Sequence, residues 1–130
     1  MTRWTIDLWI SDSGACYLER DFLKSLRKKD NVLFALLEKR MDTYTRNSFE
    51  DMQKLKLLKK VKSQEGIWEL VFSLHRNEIR FLGPLLENSD KTMTFYVLYG
   101  FKKKEQEIKQ KYLNITKSRL EEFNKSKNEL

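Results

Sequence analysis

A chain of 130 residues with 40% apolar and 12% aromatic content is long enough for one core and too apolar to stay disordered; one domain of this length buries roughly two-thirds of its unfolded surface. A single histidine and a single cysteine, His75 and Cys16, exclude an intrachain disulfide, a zinc site of several cysteines and any centre needing two imidazoles. The net charge of +7 sits mostly in the middle: residues 51–104 hold eleven Lys and Arg against six Asp and Glu, whereas nine face eight before them and six face five after. Such a patch suits a polyanion, with nucleic acid first and an acidic protein second.

In chain order, Trp4, Ile6, Leu8 and Ile10 alternate with Arg3, Thr5, Asp7 and Trp9, the period of a half-buried strand that Ser11-Asp12-Ser13-Gly14 ends. Leu18, Phe22 and Leu26, then Leu33, Leu36, Leu37, Met41 and Tyr44 recur at helical spacing, which predicts two helices joined at Lys28–Asn31. Residues 54–62 carry five lysines and no acid; their structure is ambiguous by pattern, and Ser63–Gly66 reads as a turn. Trp68, Leu70, Phe72 and Leu74 form one face of a strand, His75-Arg76-Asn77 a hairpin tip, and Ile79 and Phe81 the returning strand with Arg80 on its opposite face. Gly83-Pro84 should stop that strand.

Leu85 to Lys91 is expected as a loop, and Met93, Phe95, Val97 and Tyr99 mark a third consecutive strand. Glu105 to Phe123 reads as a terminal helix, with Asn124 to Leu130 frayed. The prediction is one domain over residues 1–130 of α+β class, in the order β-α-α-β-β-β-α. Its three sequential strands form a small antiparallel sheet that helices cover on one side, leaving the other face available. No uncharged run approaches the roughly 18 residues that span a bilayer, and Asp7 and Asp12 interrupt the first apolar stretch, so a cytoplasmic protein with no membrane partner is expected.

The chemistry available to this composition is cationic. His75 lacks a second imidazole and belongs to an exposed turn, four scattered glycines build no phosphate loop, and no metal or cofactor is implied. RNA can nonetheless be cut without metal when a ribose 2′-hydroxyl is aligned with its phosphate and the transition-state charge is stabilised. Arg80 offers a planar fork for phosphate oxygens, or else a strand cation paired with Glu78 or Glu69. Lys102, Lys103 and Lys104 follow the third strand, as a phosphate-binding cluster or as a solvated helix start. Lys54, Lys56, Lys59, Lys60 and Lys62 read as a grip on RNA, and Phe101 either stacks on a base or packs.

Three stretches, Leu55 to Lys62 leading into Gly66-Ile67-Trp68-Glu69-Leu70, Glu78-Ile79-Arg80-Phe81-Leu82, and Val97-Leu98-Tyr99-Gly100-Phe101-Lys102-Lys103 before a helix, resemble the RelE/ParE toxin superfamily, in particular its HigB-like, phage-derived branch. The resemblance implies the toxin of a type II toxin-antitoxin system: a metal-independent endoribonuclease that cleaves mRNA on the ribosome, restrained by an antitoxin of helix-turn-helix type. It implies a catalytic set of Arg80, Lys102, Lys103 and Tyr99, with Arg80 stabilising the transition state and Lys102 or Lys103 moving protons or holding phosphate. Many relatives carry an arginine after the Glu-Leu pair and a histidine before Gly-Phe, where this chain has Val71 and Tyr99. A gyrase-inhibiting toxin of ParE type, or a non-catalytic basic RNA- or protein-binding module, fits the same residues.

Overall fold

The computed structural model describes residues 1–104 and 108–128. The first strand, β1 (Trp4–Leu8), leads into a π-helical stretch, Glu19–Leu23, that continues as α1 (Lys24–Lys29). Asp30 separates α1 from α2 (Asn31–Arg46) and caps the latter, its carboxylate accepting from Leu33 N at 3.0 Å. That bond satisfies one of the donors a helix leaves open at its start. A further helix, α3 (Phe49–Lys54), opens on Ser48, whose hydroxyl accepts from Asp51 N at 3.1 Å. The ambiguous lysine segment therefore resolves into the tail of α3 and a short strand, β2 (Leu58–Lys60).

β3 (Trp68–Leu74) and β4 (Asn77–Gly83) form the expected hairpin, with Leu74 paired to Asn77 across it. The expected loop after Pro84 contains a strand, β5 (Leu85–Glu87), and the expected third strand is two: β6 (Met93–Val97) and β7 (Tyr99–Lys102). One sheet runs β1-β6-β5, with β1 parallel to β6; the other runs β2-β3-β4-β7, antiparallel throughout. The chain is thus α+β with mixed pairing; β3 and β4 pair antiparallel as expected, but Met93–Val97 of the expected third strand lies in the other sheet, and β7, which begins only at Tyr99, takes the place beside β4.

The division of the third strand has a local cause. Leu82 pairs with Tyr99, whereas Leu85 pairs with Phe95, so residues 96, 97 and 98 lie against only Gly83 and Pro84. One extra residue in one strand is a β-bulge, and it bends the ribbon. Leu98 N donates to Leu82 O at 2.9 Å and Tyr96 N to Pro84 O at 3.0 Å across the bend. A Cβ on Gly83 would stand 1.7 Å from Tyr96 O, so only glycine permits that approach. Gly83-Pro84 therefore carries the chain from one sheet to the next instead of ending the strand in a loop.

The main core fills one face, where Leu70, Phe72, Ile79, Phe81, Phe95 and Val97 of the strands meet Leu23, Leu26, Leu33, Leu37 and Met52 of the helices. Each fully buried aliphatic or aromatic side chain contributes about 1.5–3 kcal/mol. Trp4 Nε1 donates to Tyr44 O at 3.1 Å and Tyr44 Oη to Val71 O at 2.8 Å, so α2 is tied to both sheets. The opposite face is not left open as expected. Helix α4 (Gln110–Asn128) lies on it through Leu113 and Phe123, against Ile67, Leu82 and Phe101 in one cluster and Trp9 and Leu98 in another.

α4 is ordered as helix to Asn128, past the expected fraying point at Asn124. The expected helix start at Glu105 lies outside the described residues, and Ile108 precedes the helix yet still packs in the second cluster. No helix among the described residues is long and apolar enough to cross a membrane.

Candidate nucleic-acid interface

Arg80 projects from β4 onto the α4 face, as the alternation predicts, but into a closed set of charges. Its Nη1 lies 2.8 Å from Glu69 Oε1 and its Nη2 2.9 Å from Glu78 Oε1. Lys59 Nζ approaches Glu69 Oε1 at 3.7 Å, and Lys103 Nζ approaches Glu78 Oε2 at 4.0 Å. Alternating charge therefore crosses the sheet from β2 through β3 and β4 to the residue after β7.

Arg80 and Glu69 are only 7% and 5% exposed. The pairing alternative is what this geometry realises, with the pair buried instead of solvated; both Nη atoms are committed to carboxylates, while the buried Arg80 Nε and Glu69 Oε2 have no hydrogen-bond partner among the described residues. Val71 lies directly across from Arg80 in the register, so this position adds no charge beside the guanidinium.

The Tyr99–Lys104 junction is organised differently. Tyr99, Gly100, Phe101, Lys102 and Lys104 form one wall of a cleft of roughly 350 Å³, and Asp21, Phe22, Lys29 and Asp30 belong to the other. Gly100 makes this possible, because a Cβ there would meet Leu18 Cδ1 at 2.6 Å and Phe81 Cδ1 at 3.0 Å. Its bare backbone lets the first helical stretch sit directly on β7. Lys29, Lys102 and Lys104 are exposed at the rim, and both acids have other partners: Asp30 caps α2, and Asp21 pairs with Arg20 and Arg119.

Tyr99 is half-buried in this wall. Burial pushes its hydroxyl above the ordinary tyrosine value; the Tyr112 and Asp21 charges add to that, while the Arg119 cation opposes it. Arg119, from α4, lies 5.5 Å over the Tyr99 ring and 4.5 Å over that of Tyr17, and its Nη1 donates to Leu98 O at 2.7 Å. Tyr17 Oη in turn donates to Glu122 Oε2 at 2.8 Å, which raises its own proton affinity. These contacts fasten α4 to the π-helical stretch and hold the Tyr99 ring from behind.

The other expected site residues are dispersed. Lys103 is turned to Glu78, with 16% of its side chain exposed. Phe101 is 6% exposed and its ring packs 4.5 Å from that of Tyr112, so it takes the packing role and is too enclosed to stack on a base in this conformation. Lys54, Lys56, Lys59 and Lys60 are exposed around α3 and β2, and Lys62 follows them. Lys60 pairs with Trp68 at the start of β3, whereas Lys102 pairs with Ile79 near the start of β4. The two lysine groups lie toward opposite ends of the sheet, about 13 Å apart along the strands.

Lys29, Asp21 and Arg119 join the site only through tertiary contact; no local pattern marks them. Among the described residues, no group of three or more His, Cys, Asp and Glu is placed to hold a metal ion. Comparison of the chain with protein-family models, with curated proteins and with solved structures gives no match.

Proposed function

We propose that this chain is a toxin of RelE/ParE type that binds mRNA along the Lys29, Lys102 and Lys104 rim and cleaves it without a metal. The observation that carries the reading is the cleft itself: one protonated phenol and three exposed lysines surround a groove in which other partners already hold the acids. Such a groove attracts a phosphate backbone and releases its counterions. Lysine charge beside a phosphate lowers the barrier for attack by the neighbouring 2′-hydroxyl, because negative charge grows on the phosphoryl oxygens as the new bond forms.

In the reaction, the ribose 2′-oxygen attacks phosphorus and passes its proton to water, and the bond to the 5′-oxygen breaks. The leaving 5′-oxygen takes a proton from Tyr99, a phenol that lines the cleft and is protonated at neutral pH. Water then restores the phenol. Arg80 in this scheme is a structural cation, and Lys102 and Lys104 take the electrostatic part. Ribosome engagement and restraint by a helix-turn-helix antitoxin belong to the same reading, on the strength of the resemblance alone.

The burial of Arg80 between Glu69 and Glu78 favours one second reading, a basic RNA-binding module without cleavage. The two separate in a translating extract. Tyr99→Phe keeps the ring and its packing while removing the proton, and it should slow mRNA cleavage by about a hundredfold or more, with chelators having no effect on the native chain. Uncut mRNA with the native chain, alongside salt-sensitive binding, would select the module.

A further inference from the structure

The hairpin between β3 and β4 carries a strained tip. Leu74 pairs with Asn77, leaving a loop of two residues, and both have positive φ: His75 at 42° and Arg76 at 69°. Positive φ at both central positions is the type I′ turn, for which Asn-Gly is the preferred pair and an arginine at the second position is not. Asn77 holds the turn from its edge, its Nδ2 donating to His75 O at 3.1 Å. Both side chains are exposed, and Arg76 makes no ion pair among the described residues.

The tip adjoins the lysine rim. Lys103 N donates to Glu78 O at 2.8 Å, so the chain leaving β7 still runs beside β4 at Glu78, the residue next to Asn77 of the hairpin. Arg40 joins the base of the hairpin, its Nη1 donating to Ser73 O at 3.3 Å. Resting on the reading of this end as an RNA surface, we propose that the His75-Arg76 turn is a further contact for single-stranded RNA. The strained backbone presents a guanidinium to a phosphate and an imidazole face to an unpaired base, next to Lys102 and Lys104.

The test replaces the turn by its relaxed counterpart. H75N/R76G should raise Tm by roughly 2–6 °C while weakening binding of a labelled single-stranded oligoribonucleotide, because strain and contact leave together. The loss should be about tenfold at low salt, with the log–log salt slope shallower by about 0.7. Lys91 supplies the control, being exposed with φ 73° in the turn between β5 and β6, at the far end of the β4–β5 ribbon.

Lys91→Gly removes one positive charge and one left-handed side chain there, and it should raise Tm without changing RNA affinity. If H75N/R76G binds within about twofold of the native chain while Lys102→Ala/Lys104→Ala binds weakly, the turn is no contact and the rim reading survives. Equal weakening by Lys91→Gly would reduce the effect to net charge and overturn the proposal. A native chain that binds no RNA overturns both.

Discussion

Two cationic regions of this molecule differ in what their charges are free to do. Across the α4 face, Arg80 sits between Glu69 and Glu78, with Lys59 and Lys103 at either end. At the β7 cleft, Lys29, Lys102 and Lys104 stand exposed, and the nearby acids serve a helix cap and Arg119. A count of lysines and arginines treats the regions alike; only the positions of the carboxylates separate them. Charge held by buried acids maintains the fold, and charge left at a rim is available to a ligand.

The sharpest way to break this contrast is to remove a buried partner. Glu69→Ala strands the Arg80 guanidinium with one acid in a nearly water-free setting, so unfolding by urea should show a loss of about 3–5 kcal/mol. Alanines at Lys102 and Lys104 should leave the urea midpoint where it was. A midpoint for Glu69→Ala close to that of the native chain would mean that the ladder does not support the fold.

Next in size is Gly100→Ala, which pushes a methyl toward Leu18 and Phe81 and should cost about 1–3 kcal/mol through overpacking. Because the first helical stretch must then lift from β7, RNA affinity should fall with stability. Unchanged affinity in a destabilised variant would separate the cleft from binding.

A smaller effect follows from pH. Tyr44 and Tyr99 hold their protons above the ordinary value of 10.0, chiefly because burial disfavours the phenolate. The unfolded chain releases them near 10, so the folded state binds more protons in that range. The contribution of these two phenols should therefore be constant below about pH 10 and fall as the pH rises beyond it. Urea midpoints between about pH 8 and about pH 11 check the sign, and Tyr99→Phe should soften the decline.

Least in size is Glu78→Gln. It removes the carboxylate that Lys103 shares with Arg80 and should tighten RNA binding about threefold, with a salt slope steeper by about 0.7, because Lys103 is freed beside the rim while Arg80 stays paired with Glu69.

The strands β1, β3 and β4 were legible because apolar residues alternate along each, and in β3 and β4 that apolar face packs into the main core. The break at Leu98 was not, since Met93 to Tyr99 alternates without interruption; its cause is Gly83, whose close contact with Tyr96 O arises in the neighbouring strand. Helix α3 carries a local start signal, Ser48 followed three residues later by Asp51, whose N–H donates to the Ser48 hydroxyl. The covering of the second face was not legible: by pattern that face is left available, and only the packing of Leu113 and Phe123 shows that α4 lies on it.

At the candidate site, the place of Tyr99, Lys102 and Lys104 at a strand's end is legible in the sequence. The alternation also places Arg80 on the second face near Glu69 and Glu78, but pattern does not tell a phosphate fork from a buried ion pair. That distinction depends on the depth that α4 gives to the face. Lys29 and Arg119 are brought in by packing between segments distant in the chain, which no window of sequence displays.

The most direct measurement of the central claim, that the working charge is the β7 rim and not Arg80, compares two folded variants for mRNA cleavage in a translating extract. Glu69→Leu/Arg80→Met exchanges the buried pair for apolar side chains without leaving a lone charge, and it should fold and cleave like the native chain. Lys102→Ala/Lys104→Ala should fold and lose cleavage. Cleavage retained by the rim variant and lost from the folded Glu69/Arg80 variant would contradict the account.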